Sequence, residues 1–181
     1  MEAVAWHEAG QPFIVCRKRP GERLSLGFCL PKPLGQSGSP IRIAAHSDEA
    51  NVIRVDRPPA LCSEAAQRAI PPDVLNQLLS PPIGCIVRLI GSRMWEAITK
   101  TSYTNASSDL DLVIDLATSD AADPACEFLE SFMSPIRLDA ELSFPGRKEV
   151  HWKEWKSAAD PLLVKSLDAV ALVPRAELRQ G

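Results

Sequence analysis

Apolar and polar positions are sorted most sharply in two stretches of this chain. The run Cys85 to Ile90 (CIVRLI) is rich in β-branched residues and stops at Gly91-Ser92, the pattern of a strand ended by a turn. The run Leu110 to Leu116 (LDLVIDL) is a second strand, with Leu110 and Leu112 directed into a core. Asp109 and Asp111 lie two residues apart at its start, so they share the opposite face. The amphipathic segment between the runs reads as a helix. Further on, Asp123 to Met133 (DPACEFLESFM) has apolar residues at 125, 128, 129 and 132, one face of a helix. That helix should return the chain so that the strand Ile136 to Phe144 (IRLDAELSF) lies beside Leu110 to Leu116. A turn at Pro145-Gly146, the two tryptophans of HWKEWKS and the apolar PLLVKSL complete the pattern.

The first third is patterned differently. From Trp6 to Leu61 the chain reads as short strands and turns, with β-type runs in PFIVCRK, LSLGFCLP, IRIAAHS and NVIRVDR. They are separated by Arg19-Pro20-Gly21-Glu22, by Pro31 to Pro40 (PKPLGQSGSP) and by Ser47-Asp48-Glu49-Ala50. Pro31 to Pro40 is expected to be a plain hairpin connection rather than a lid. Two short helices follow, SEAAQRA from Ser63 and PPDVLNQLL from Pro71, and proline pairs at 58-59, 71-72 and 81-82 punctuate the region. A domain boundary near Ser80 is expected. The class is α+β: a small β-rich N-terminal domain over residues 1–79, then an α/β domain with a mixed sheet over residues 80–181.

Composition narrows the function. With 45% apolar and 24% charged residues in 181, the chain is an ordinary globular protein able to bury a core. A formal net charge of −3 and a pI near 5.6 lack the basic excess that non-specific nucleic-acid binding needs. Five cysteines at wide spacing and three histidines form neither a zinc pattern nor a disulfide framework, which suits reduced thiols in a cytosol. No apolar run approaches the roughly 20 residues of a membrane span, and no signal pattern opens the chain. A cytoplasmic location, with neither membrane nor nucleic-acid partner, is expected.

The candidate chemistry sits where the two sharp stretches meet. Adjacent carboxylates repel, and a divalent cation neutralises them; oxygen ligands of this kind suit Mg²⁺ held together with substrate phosphates. Gly91 permits close backbone approach, and Ser92 offers a hydroxyl and an N-cap at the start of the helix, where free N–H groups attract phosphate. Turn, helix and carboxylate strand together point to nucleoside-type phosphate chemistry.

This arrangement resembles the nucleotidyltransferase superfamily of DNA polymerase β, marked by a Gly-Ser turn and Asp-x-Asp on the next strand. That pattern has a third acid on a later strand, and Asp139 and Glu141 fit it. Within the superfamily, Gly91-Ser92, Trp95, Thr99, Tyr103, Ser108-Asp109-Leu110-Asp111-Leu112 and Leu138-Asp139-Ala140-Glu141 are similar to the malonate decarboxylase holo-acyl-carrier-protein synthase family, the phosphoribosyl-dephospho-CoA transferases. Val150, Trp152, Glu154 and Leu163-Val164-Lys165 extend the likeness. Where that family usually reads Asp-Gly-Glu, this chain has Ala140, a small residue that leaves both acids in place.

The resemblance implies transfer of phosphoribosyl-dephospho-CoA from triphosphoribosyl-dephospho-CoA to a serine of the malonate decarboxylase acyl carrier protein, with release of pyrophosphate. Asp109, Asp111, Asp139 and Glu141 would be the catalytic acids, with Mg²⁺ on Asp109, Asp111 and Asp139, and Asp139 preferred to Glu141 as third ligand. Gly91, Ser92, Arg93, Ser108 and Lys165 would face phosphate. Alternatives are another small Mg²⁺-dependent nucleotidyltransferase using ATP, or a non-catalytic nucleotide-binding module.

Other residues have blander expectations. Arg88, Lys100 and Arg137 are expected on solvated surface, Trp95 in the core, and His151 in a structural or surface role. Tyr103 is open between packing and ligand contact. Arg17-Lys18-Arg19, the densest basic cluster, is either a solvated turn or a dock for an acidic carrier.

Overall fold

The computed structural model describes residues 2–17, 24–31 and 40–180. Most of the loop Pro31 to Pro40, the turn Arg19 to Glu22, and Lys18 and Arg19 of the basic cluster lie outside the described residues. A short helix α1 (Glu2–Glu8) precedes β1 (Ile14–Val15), β2 (Leu24–Leu30) and β3 (Ile41–Ser47), which form an antiparallel sheet in that order. Helices α2 (Glu64–Arg68) and α3 (Pro72–Leu78) follow. The remaining elements are β4 (Cys85–Leu89), α4 (Gly91–Thr99), β5 (Leu110–Leu116), α5 (Ala122–Glu130), β6 (Leu138–Phe144), β7 (Lys148–His151), α6 (Trp152–Lys156), β8 (Leu162–Lys165), β9 (Val170–Val173) and α7 (Arg175–Arg179).

Strands β4 to β9 form one six-stranded sheet in sequence order. It is mixed: β5 and β6 are parallel and the other neighbours antiparallel. The parallel pair needs a crossover, and α5 supplies it. The fold is α+β, as the patterning predicts.

The pleat sorts this sheet into two unlike faces. Leu110, Leu112, Ile114, Ala140, Leu142, Val150 and Leu162 are fully buried on one. Helices α5 and α6 pack on that side, where Phe144 meets Trp155 at 4.8 Å between ring centres. Helix α5 buries Ala122, Ala125, Cys126 and Leu129, the i, i+3, i+4, i+7 stripe of an amphipathic helix. The other face is polar.

Two parts of the N-terminal third depart from expectation. Trp6 lies in helix α1 rather than in a β run, stacked on Phe28 at 4.8 Å and edge-on to Trp95 at 5.7 Å. The NVIRVDR run is not a strand: after a 3₁₀ turn at Glu49–Asn51 it extends beside no strand among the described residues, with Ile53 and Val55 exposed. Pro58 and Pro59 lack N–H donors, so backbone-to-backbone bonding with β4 starts only where Leu89 N–H donates to Pro59 O and Leu61 N–H to Val87 O. β-Branched composition favours a strand only when a partner completes its ladder.

Buried residues from Trp6 to Leu178 join one cluster. Trp95 takes its expected core place, and Tyr103 packs against it while its hydroxyl donates to Cys29 O at 2.9 Å. No helix among the described residues is long and apolar enough to cross a membrane.

Candidate active site

Register assembles the polar face. Asp111 on β5 is directly opposite Asp139 on β6, and Val113 is opposite Glu141. Across the next pair Glu141 meets His151, and Glu149 on β7 meets Lys165 on β8. On the other side Arg88 of β4 meets Val113, and Ile86 meets Asp115. Opposed residues share a face, so Asp109, Asp111, Asp115, Asp139, Glu141 and Glu149 all lie on one side of the sheet.

Helix α4 begins against these acids. Gly91 has φ +65°, and a Cβ there would sit 2.7 Å from Asp111 Cγ, so only glycine leaves room for that carboxylate. Ser92 is not the N-cap its position suggests. Ile90 is, with extended backbone and no side-chain cap, and the helix opens at Gly91 rather than after Ser92. Ser92 is inside the first turn, whose N–H groups are not capped by a side chain and lie beside Asp111. Arg93 is buried; its Nη1 donates to Ala69 O at 3.0 Å and its Nε has no partner among the described residues.

The three predicted metal ligands differ in their surroundings. Asp109 accepts a two-pronged contact from Arg137, with Nε donating to Oδ1 at 2.9 Å and Nη2 to Oδ2, and this holds its carboxyl below the ordinary range. Asp139 accepts from His151 Nε2 at 2.8 Å. The other ring nitrogen of His151 accepts Lys153 N–H at the start of α6, so in the neutral ring Nε2 carries the proton given to Asp139. Asp111 has neither kind of partner among the described residues. Burial, then the charges of Asp139 and Asp109, push its carboxyl upward, and Arg137 and Arg93 offset this only in part.

The acids further along the strands are paired. Asp115 receives Arg57 and Arg88, with Arg88 Nε donating to Oδ2 and Nη1 donating to Pro58 O at 3.0 Å. Arg88 is thus part of an ion-pair cluster, not free surface, because register puts it across from the Val113–Asp115 edge. Lys165 bonds Glu141, whose second oxygen is buried without a partner among the described residues. Burial and the charge of Glu141 push the Glu149 carboxyl up as well.

The predicted residues therefore fall into groups. Gly91, Ser92, Asp109, Asp111 and Asp139 meet where α4, β5 and β6 begin, and Arg93 lies beneath. Ser108 closes the preceding loop, its hydroxyl accepting Asn105 N–H at 2.9 Å. Glu141 and Lys165 pair with each other one pleat deeper. His151 and Arg137 were not singled out as site residues. Their signal was register: His151 falls opposite Glu141 once β7 turns back, and Arg137 immediately precedes β6.

Whether this set suits magnesium can be judged from its donors. As the side chains stand, no three His, Cys, Asp or Glu groups among the described residues gather around one point, since Asp109 leans to Arg137 and Asp139 to His151. The chemistry nevertheless fits a divalent cation. Hard oxygen donors sit on adjacent strands, Asp111 carries charge that its neighbours aggravate, and the Gly91 notch keeps the backbone clear of it.

Residues 55–176 match the family described as phosphoribosyl-dephospho-CoA transferase MdcG C-terminal domain. The chain is 32% identical over 183 residues to a phosphoribosyl-dephospho-CoA transferase of Xanthomonas euvesicatoria pv. vesicatoria, covering 96% of this chain and 83% of that protein. A protein of the same name from Bradyrhizobium diazoefficiens is 30% identical over 183 residues, covering 97% of this chain and 79% of its own. No solved structure matches.

Proposed function

This chain belongs to the phosphoribosyl-dephospho-CoA transferase family, and from that premise we propose that it is an enzyme moving the phosphoribosyl-dephospho-CoA group from triphosphoribosyl-dephospho-CoA to a serine of the malonate decarboxylase acyl carrier protein. The observation that supports this reading best is Asp111, only partly compensated, seated in the Gly91 notch and opposite Asp139. A group placed there meets negative charge at the sheet and uncapped N–H groups at the helix. A polyphosphate bridged by a cation has the complementary shape and sign.

The reaction is a displacement at phosphorus. The serine oxygen forms a bond to the α-phosphorus of the triphosphoribosyl group, the bond to the departing oxygen breaks, pyrophosphate leaves, and the serine proton passes to solvent or to a carboxylate. Asp109, Asp111 and Asp139 would hold magnesium, which when bound supplies charge neutralisation at the attacking and leaving oxygens. The first turn of α4 and the Ser92 hydroxyl hold phosphate oxygens, and the Arg93 charge beneath favours an anion. Asp139, oriented by His151, is the third acid in this reading, while Glu141 is engaged by Lys165.

The test is to incubate the protein with Mg²⁺, triphosphoribosyl-dephospho-CoA and the carrier protein, then weigh the carrier. The carrier should gain one phosphoribosyl-dephospho-CoA unit, and ATP in place of the donor should leave its mass unchanged. The Asp109→Ala/Asp111→Ala double variant should fold and lose transfer by about a thousandfold or more. Transfer within about tenfold of wild type in that variant would refute the site.

A further inference from the structure

Arg137 is the cation lying over the three acids. It is 75% exposed, forks onto Asp109, and its positive charge is further favoured by Asp139 and Asp111. It comes from the residue just before β6, where its own carbonyl accepts Leu110 N–H at 2.9 Å, so its backbone is pinned to the start of the carboxylate strand while its side chain is open to solvent. Other cations near the acids among the described residues already have partners: Arg93 donates to Ala69 O through Nη1, Lys165 pairs with Glu141, and Arg57 and Arg88 pair with Asp115. His151 is on Asp139.

A cation bound by Asp109 and a guanidinium bound by Asp109 compete for the same two oxygens. An exposed pair of this kind is weak, so the competition is easily won by a divalent ion. The displaced guanidinium cannot go far, because the backbone at 137 is fixed in the ladder. It is then left at the rim of a site that has just acquired a polyphosphate, the anion its planar fork matches best.

We propose that Arg137 is a phosphate-binding residue of the transfer reaction, parked on Asp109 as the structure has it and passed to the donor's pyrophosphate portion when the metal takes Asp109. This rests on the reading of the site given above. It assigns Arg137 two opposing effects: it holds the metal off Asp109 when no phosphate is present, and it holds the leaving pyrophosphate when both are bound.

The opposing signs make a test that a merely structural role would not pass. Mn²⁺ binding, followed by electron paramagnetic resonance, and binding of inorganic triphosphate in the presence of Mg²⁺, followed by calorimetry, are compared in wild type, Arg137→Ala and Arg137→Lys. Arg137→Ala should bind Mn²⁺ a few-fold more tightly and triphosphate about tenfold or more weakly. Arg137→Lys should keep part of the triphosphate affinity, because it keeps the charge and loses the fork. If Arg137 only props Asp109 in place, Mn²⁺ binding would weaken and triphosphate binding would not change selectively. That result, or no change in either, overturns the inference while leaving the metal site standing. Absence of Mn²⁺ binding in wild type would remove the site itself, and this assignment with it.

Discussion

Two sets of carboxylates occupy the same face of the same sheet, Asp111 where the strands begin and Glu141 and Asp115 two and four residues further along, and they are treated in opposite ways. Asp115 is clamped by Arg57 and Arg88, and Glu141 is bonded by Lys165. Asp111 has only the partial influence of Arg137 and Arg93 against burial and two neighbouring negative charges. The contrast separates structure from chemistry. A buried or half-buried acid with dedicated cations is part of the fold; one whose charge is left over, beside a glycine notch and an uncapped helix start, is held ready for something not in the chain.

The contrast can be broken in three ways, taken here by falling effect. Gly91→Ala puts a Cβ into the space of the Asp111 carboxylate and forces a side chain into positive φ. Transfer should fall by about a hundredfold with the rest of the fold retained, as judged by circular dichroism, because the displaced acid is the one the site is built around. Asp115→Ala strips the partner from two arginines that are only 27% and 17% exposed. It should cost about 1–3 kcal/mol in urea unfolding, less than a fully buried pair, and leave transfer by the folded fraction unchanged.

Asp111→Asn should move stability the other way. Burial raises the Asp111 carboxyl, so its ionised form is unfavourable in the fold. The penalty is absent in acid, below the ordinary carboxylate range, and appears as pH rises through the elevated value. In metal-free protein the variant should therefore melt about 2 °C higher at neutral pH, a gain that disappears on acidification, while transfer is lost. A lower melting temperature at neutral pH would mean that Asp111 serves the fold after all.

Much of this was legible in the chain and some was not, for identifiable reasons. The strands Cys85–Leu89 and Leu110–Leu116 and the helix Ala122–Glu130 are written in their apolar periods, because each buries one face against a single core. The face shared by Asp109 and Asp111 followed from a period of two. What failed depended on partners distant in sequence. NVIRVDR has strand composition and no strand to pair with among the described residues; α1 is too short to announce itself beside the β runs that follow; the N-cap is Ile90 rather than Ser92. The same holds for His151 and Arg137, whose roles depend on β6 and β7 being side by side with β5.

The measurement closest to the central claim is divalent-ion binding in the two sets compared. Mn²⁺ titrated into wild type, Asp111→Asn and Asp115→Asn, and followed by electron paramagnetic resonance, should bind wild type and Asp115→Asn alike and fail to bind Asp111→Asn. Equal binding by Asp111→Asn and wild type, or loss of binding only in Asp115→Asn, would contradict it.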